Sequence, residues 1–396
     1  MRHVTCVTAF LLGLTVACHA ASEQPRKFLV VEPAVVEQWI KTHGAEYKYI
    51  WQSRNDGRNG ALWEHYAPNT ILSSYFPYLR DSTGTPLSEW LMHHPEWVLY
   101  RCDGENVAFQ FGRPIVPLDI GNPQVRMWQI ANFSASWQTD VGIDNFQLGD
   151  HERACGIKSP SGTFKPIYSG SAGTERLNSV KLAWLDQVAQ TLHRAKKTLT
   201  LNYSLDVPAE SETAHRIISS VDGVLYEDYW GGEFPKGILT SNSRMLELMK
   251  FFSLAQIRQK SVHFIFQLKS VDRPSVQTAM AVYLINSNDR TDIFISAIQH
   301  YGIVPSYLGY DKFVGEACGP ATIGRDIIVR RFEGADVLLH LPDAAPAVFH
   351  PRTGRYADVD GKDLAEDIYL SGPVGLVAYR RGKRACKNLG IEVTEE

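Results

Sequence analysis

Short apolar runs recur along most of the chain, and nearly every one is followed by a stretch with helical periodicity. Tyr47–Gln52, Thr70–Tyr78, Ile115–Ile120, Gly142–Leu148, Thr198–Tyr203, Gly223–Tyr229, Val262–Leu268 and Ile303–Leu308 read as strands. Between them, Ala61–Tyr66, Ser88–Trp97, Asn122–Gln138, Leu177–Lys197, Glu210–Val221, Ser243–Gln259, Ser275–Asn286 and Asp292–Tyr301 read as helices. The third of these opens well, with Asn122 as a cap and Pro123 at the first helical position. Strands alternating with helices predict a parallel sheet, because a parallel return needs a crossover. Eight such strands predict an α/β fold of the (β/α)8 TIM barrel kind, within residues 22–317.

After Cys318 the pattern changes. Asp326–Phe332, Ala335–His340, Ala347–His350 and Val374–Tyr379 are strand-like, with turn residues and no long helix between them. Residues 318–396 are therefore expected to form a small antiparallel β region. A length of 396 residues accommodates a barrel of about 250 residues with additions. Charged residues make up 21% and the formal net charge is −3. No basic stripe offers a nucleic-acid footprint, so that partner class is excluded.

Met1-Arg2-His3 is a short positive region, and an apolar run extends to about Val16, followed by Ala17, Cys18, Ala20 and Ala21. This is the pattern of an export signal over residues 1–21, too short to serve as a membrane span. Cleavage after Ala20 or Ala21 is one route. Lipidation of Cys18 at a lipobox-like Thr15-Val16-Ala17-Cys18 is the other, and is the one expected route to a membrane. The mature chain is thus expected in the periplasm or medium, or as an outer-membrane lipoprotein. Four cysteines remain, and an oxidising compartment predicts two disulfides. Sequence order suggests Cys102–Cys155 and Cys318–Cys386, although three connectivities exist. No cysteine pair has CxxC spacing and no His is placed to help, so neither a metal nor a cofactor is expected.

In a (β/α)8 barrel the site lies at the carboxyl ends of the strands. Polar residues collect there: Arg54 after the first run; Tyr75 in the second; Asp119 in the third; Asn145, Gln147 and Asp150 in and after the fourth; Asn202 and Tyr203 in the fifth; Glu227, Asp228 and Trp230 in and after the sixth; Gln267 and Lys269 in and after the seventh. Carboxylates with aromatics suit glycoside hydrolysis, in which one carboxyl group protonates the leaving oxygen while another attacks the sugar or activates water. Aromatics, at 11%, provide for a core and for stacking on sugar rings. Glu227 shares parity with Leu225 and can face the lumen while Tyr226 packs outward. Asp144 and Asp150 lie six residues apart, about 20 Å if extended at roughly 3.3 Å per residue, so they cannot serve one bond. Asp144 opens its run and reads as structural. Asp150, at the far end, reads as the reacting acid, with Gly149 permitting the bend that turns it inward.

The order PLDIGNPQVRMWQ, GIDNFQLGD, LNYS, GVLYEDYW, with RDIIVRRFEGADVLLHLPD and SGPVGLVAYR behind it, resembles the hypothetical glycosyl hydrolase family 15 type. These are barrel proteins related at a distance to endo-galactosaminidase-like hydrolases. The resemblance runs from about Tyr47 to Arg380. It implies an exported glycoside hydrolase acting on a poly- or oligosaccharide, with a Glu after strand six, which Glu227 matches, and a carboxylate after strand four. The family pattern there is DG-apolar-aromatic-LDN, and in this reading Gly149 stands at the expected Asp, one position before Asp150. A barrel that binds carbohydrate without cutting it is the alternative.

Overall fold

Strands that read as unbroken apolar runs must be covered on both faces, and a closed barrel ringed by helices does so. In the computed structural model, eight strands close in sequence order. They are β1 (Lys27–Val31), β2 (Tyr47–Gln52), β3 (Ile71–Pro77), β4 (Asp140–Phe146), β5 (Thr198–Tyr203), β6 (Gly223–Trp230), β7 (Ser261–Leu268) and β8 (Thr291–Ala297). The helices are α1 (Glu37–His43), α2 (Gly57–Tyr66), α3 (Leu87–His93), α4 (Pro123–Ala135), α5 (Gly170–Arg194), α6 (Glu212–Ser220), α7 (Asn242–Ile257) and α8 (Arg273–Asn286). The structure describes residues 24–32, 37–53, 57–81, 83–108, 116–230, 239–301, 309, 312–350, 356–365, 367–382, 386 and 393–394. The export signal, Arg54 and the run Ile303–Leu308 lie outside them. Among the described residues no helix is long and apolar enough to cross a membrane.

Three expectations are corrected. Lys27–Val31, not read as a strand, is the first barrel strand. Of the expected strand Ile115–Ile120, the described residues 116–120 supply no barrel strand: Pro117 and Leu118 make isolated bridges, to Arg80 and Val98. A proline has no N–H for a ladder, which confines it to edges and connections. Thr291–Ala297, expected to be helical, is the eighth strand, paired in parallel with β7 from Val262↔Thr291 to Leu268↔Ala297.

The chain divides into two compact units. The first comprises Met1–Ile50, Tyr66–Thr70 and Leu225–Glu396. Here β7 alternates strictly. Phe264 packs on Phe252 of α7 and Tyr283 of α8, with ring centroids 4.7 and 6.4 Å apart. On the other face His263 stacks on Tyr49 at 4.1 Å and its Nδ1 lies 3.0 Å from Asp292. Asp292 also holds Arg26 at 2.9 Å, so the buried charges are compensated.

The C-terminal strands belong to this unit. β9 (Ile327–Arg331), β10 (Ala335–His340) and β11 (Val374–Arg380) form an antiparallel sheet, extended by the short strands Thr322–Ile323 and Tyr356–Ala357. The sheet covers α8. The Gly375 N–H donates to Thr278 Oγ1 at 2.9 Å, and a Cβ at Gly375 would lie 2.5 Å from that of Ala281, so the approach requires glycine. Arg330 donates to the carbonyls of Leu284, Ile285 and Ser287 at 2.8, 3.1 and 2.6 Å. These belong to the end of α8, where helical carbonyls lack partners and a cation is favoured. The other face of the sheet buries Ile327, Leu338, Leu376 and Ala378 with Phe349 and Leu370. Cys318–Cys386 closes the region, as sequence order suggests.

The second unit comprises Trp51–His65 and Ile71–Val224. Its strands β3, β4 and β5 pair in parallel. Asn122 caps α4 through a bond from the Gln124 N–H at 2.9 Å, as read from the sequence. Phe146 of β4 lies parallel to Trp184 of α5, 6.3 Å between centroids, and Trp184 donates to Gln129 of α4 at 2.9 Å. Cys102–Cys155 ties the loop after α3 to the loop after β4.

Candidate active site

The fourth strand begins two residues earlier than its apolar run suggests, and this moves Asp144 from the start of the strand to its carboxyl third. Strict period-two alternation would send Asp144 and Phe146 to the same face. They go to opposite ones. The β4–β5 ladder runs from Asp140↔Thr198 to Ile143↔Leu201, then resumes at Phe146↔Tyr203. Two residues, Asp144 and Asn145, therefore oppose Asn202 alone, which is a β-bulge. Asn145 takes a left-handed conformation, φ 58°, which Asn tolerates better than most residues. The bulge keeps Phe146 in the helix-facing core and leaves Asp144 on the inner face.

Around Asp144 the neighbouring strands supply donors. Tyr75 of β3 donates its hydroxyl to Oδ2 at 2.6 Å, and Asn202 of β5 donates its amide to Oδ1 at 2.7 Å. Asn145 adds a bond to Oδ2 from the bulge itself. Arg80, only 8% exposed, lies within electrostatic reach of Asp144 and Tyr75. Burial pulls its guanidinium below the usual arginine range, and the nearby acids counter this. Below Asp144 on the same face, a Cβ on Gly142 would lie 2.7 Å from the Trp51 ring and 2.9 Å from Ser73 Oγ. Glycine there makes room for Trp51, whose ring meets Tyr75 edge-on at 6.2 Å.

Asp150 stands elsewhere. It is exposed, and its Oδ1 accepts the Ala154 N–H at 2.6 Å, closing a turn. Partial burial raises its carboxyl above the ordinary range. The loop carrying it is anchored from behind. Lys181 of α5, its side chain fully buried, donates to the carbonyls of Gln147 and Gly149 at 2.9 and 2.8 Å and to Glu152 at 3.1 Å. Leu148 and Gly149 donate their N–H groups to Asp206 and Asn178. Gly149, φ 79°, turns the backbone just before Asp150.

The other polar residues divide by role. Asp119 lies in the loop before α4, accepting from Tyr168 at 2.7 Å and from the Gly121 N–H at 2.9 Å. Its burial raises its carboxyl above the ordinary range, which the two bonds counter. Tyr203 is fully buried, edge-on to Phe146, on the helix side of β5. Gln147 is half-buried, and its carbonyl is the group engaged by Lys181.

In the first unit, Tyr226 is buried against Phe252 of α7, so its neighbours alternate as the sequence suggests. Glu227, half-buried, accepts from Gln267 Nε2 of β7 at 2.5 Å. Asp228 is buried; burial first, and then the Asp228 charge, raise the Tyr226 hydroxyl, while Arg244 of α7 lowers it. Lys269 is exposed just past β7. The side chain of Trp230 lies outside the described residues. Arg80, after the second run, and Trp51, in the first, also belong to the polar and aromatic set that the sequence places at the strand ends.

No protein-family model matches the sequence, and no curated relative does. The structure is similar to the trehalulose synthase MutB from Pseudomonas mesoacidophila MX-45, at TM-score 0.50 and 9% identity, over 90% of this chain and 98% of that one. It also matches Ega3 of Aspergillus fumigatus, solved in complex with galactosamine, at TM-score 0.42 and 10% identity over 74% of this chain and 99% of that one. An alpha-amylase from Lactobacillus plantarum matches at TM-score 0.40 and 8% identity over 84% and 82%. The likeness to the trehalulose synthase establishes a shared barrel fold.

Proposed function

We propose that this chain is an exported glycoside hydrolase that cleaves O-glycosidic bonds in a polysaccharide, with Asp144 and Glu227 as its reacting carboxylates. The observation that carries the reading is the setting of Asp144: a carboxylate at the carboxyl end of a barrel strand, aimed inward by a bulge and held by Tyr75 and Asn202. Barrel enzymes place their chemistry at those strand ends, and bulges beside active sites re-aim side chains. The family pattern ends in LDN, and Ile143-Asp144-Asn145 fits its last three positions at the strand end better than Gly149-Asp150 does. The proposal therefore moves from Asp150 to Asp144.

Roles follow from the hydrogen bonds. Three donors converge on the Asp144 carboxylate, which suits the base or nucleophile that must act as an anion. Glu227, which accepts from Gln267 on the neighbouring strand, is assigned the proton for the leaving oxygen. Tyr75, Asn145, Asn202, Gln267 and Lys269 are the proposed sugar contacts. The amides of Asn and Gln both donate and accept, which matches sugar hydroxyls.

Export rests on the first 21 residues and is consistent with two disulfides, which persist in oxidising compartments. Residues 22–317 are assigned to the barrel and 318–396 to the C-terminal β region, with Cys18 lipidation as the route to a membrane. The test is release of reducing ends by residues 22–396 from soluble starch, pullulan, arabinogalactan and chitosan. New reducing ends on at least one are expected. Binding to a glycan with no new reducing ends on any would favour the silent binding barrel.

A further inference from the structure

Hydroxyl groups buried on barrel strands normally find an acceptor nearby. Ser73 Oγ donates to the Ser74 carbonyl at 3.2 Å and Ser74 Oγ to that of Asp140 at 3.3 Å. Thr200 Oγ1 donates to Asp140 Oδ1 at 3.2 Å, and Thr291 Oγ1 to Asn288 Oδ1 at 2.8 Å. Ser296 of β8 differs. It is 2% exposed, and its Oγ has no hydrogen-bond partner among the described residues.

The ladder fixes the direction of Ser296. Parallel pairing of β7 with β8 places Asp292 beside His263, Phe294 beside Ile265 and Ser296 beside Gln267. His263 stacks on Tyr49 of β2 at 4.1 Å, and Phe294 meets Phe28 of β1 at 5.9 Å. β2 stands three places from β7 in the closed order, so a ring contact between them crosses the interior. His263, Ile265 and Gln267 therefore face the lumen, and Asp292, Phe294 and Ser296 face it with them. They form successive layers, the usual filling of a barrel interior. The layer nearest the amino ends is an ion pair and the next is apolar. The last, Gln267 with Ser296, is polar and lies at the carboxyl ends of its strands.

A buried hydroxyl without a partner is costly to keep. Packing gives no reason for it, because alanine fills nearly the same space. A ligand at the strand ends does give one. Gln267, about 4.8 Å from Ser296 across the ladder, bonds Glu227 at 2.5 Å. Ser296 thus stands in the layer that holds a proposed reacting carboxylate.

We propose that Ser296 is a substrate-binding residue, its hydroxyl pairing with a hydroxyl of the sugar unit on which Glu227 acts. The inference rests on the reading of Glu227 as a reacting carboxylate. A serine hydroxyl both donates and accepts, as a sugar hydroxyl does, so the two satisfy each other without a charge. The group recognised is an unsubstituted sugar hydroxyl.

The test compares Ser296→Ala, Ser296→Thr and Glu227→Gln with the parent in residues 22–396. Kinetics are measured on whichever of the four polysaccharides is cut fastest, and thermal unfolding without glycan. Ser296→Ala is expected to lose about 3- to 10-fold in kcat/KM, the scale of one neutral hydrogen bond, mainly as a raised KM. It is expected to unfold at the parent's temperature or above, since it removes an unpaired hydroxyl and no bond. Ser296→Thr keeps the hydroxyl and is expected to stay within about twofold of the parent. A serine with a merely structural role would do the reverse, lowering the unfolding temperature in Ser296→Ala at a parental kcat/KM. A parental kcat/KM in Ser296→Ala, or equal losses in Ser296→Ala and Ser296→Thr, while Glu227→Gln is inactive, would overturn this inference alone. A parental rate in Glu227→Gln, or no cleavage of any of the four polysaccharides by the parent, would overturn the reading of Glu227, and this inference with it.

Discussion

The Tyr75 hydroxyl donates to Asp144 Oδ2 across 2.6 Å, from the carboxyl end of β3 to that of β4. The bond links the two strands on their inner face, where the parallel register places Pro77 beside Asp144. A hydrogen bond to a charged group contributes about 1.5–3 kcal/mol. Tyr75→Phe keeps the ring against Trp51 and removes only the donor. It is expected to lower kcat roughly tenfold, each 1.36 kcal/mol being about tenfold in rate. Initial-rate kinetics on the cleaved polysaccharide check this. An unchanged kcat would mean that the bond does not hold the reacting carboxylate.

The bulge makes a separate prediction about stability. Asn145 sits at φ 58°. A left-handed conformation costs L residues about 1–2 kcal/mol, and β-branched ones most. Asn145→Val is therefore expected to destabilise the chain by about 1–2 kcal/mol and to disturb Asp144. Asn145→Gly should stay within about 0.5 kcal/mol of the parent. Denaturant unfolding of the pair distinguishes them. Equal stability of the two would contradict the assigned backbone geometry.

These residues show where the sequence was readable. β2 and β5 match their apolar runs residue for residue, and β4 to β7 were each found, because alternation of apolar strands and amphipathic helices is a strong signal. β1 and β8 were missed for opposite reasons. KFLVV is only five residues and follows directly on the segment read as an export signal, and TDIFISA carries enough polar residues to read as helical in isolation. The bulge was not legible at all. Whether Asp144 or Asn145 faces inward depends on one extra residue in a ladder, which only the pairing with β5 fixes. That is why the sequence chose Asp150. The Glu227 assignment needed no such detail, because Leu225, Tyr226 and Glu227 alternate without interruption and Tyr226 is locked outward by Phe252.

An acid-limb prediction concerns Asp103, beside the Cys102–Cys155 disulfide. The Asn106 side chain and the N–H groups of Asn106 and Glu105 bond to its carboxylate and lower it to about 2. The folded value lies below the ordinary aspartate value of about 3.9. The unfolded chain therefore binds more protons between those values. The contribution of Asp103 is present above about pH 4 and is lost as pH falls toward 2. Asp103→Asn should flatten the loss of stability across that window and leave the neutral-pH slope alone. Urea unfolding at stepped pH measures it. An unaltered acid slope would show that the turn does not hold the carboxylate in solution.

The central claim is that Asp144 and Glu227, and not Asp150, carry the bond-breaking step. Removing a reacting carboxylate while keeping its shape costs at least the general acid–base contribution, about 10²–10⁴-fold. The most direct measurement is the rate of reducing-end release by Glu227→Gln, Asp144→Asn and Asp150→Asn, side by side with the parent on the same polysaccharide. The account predicts losses of about 10²-fold or more in the first two and a rate within about threefold of the parent in the third. A parental rate in Glu227→Gln or Asp144→Asn, or a loss confined to Asp150→Asn, would contradict it.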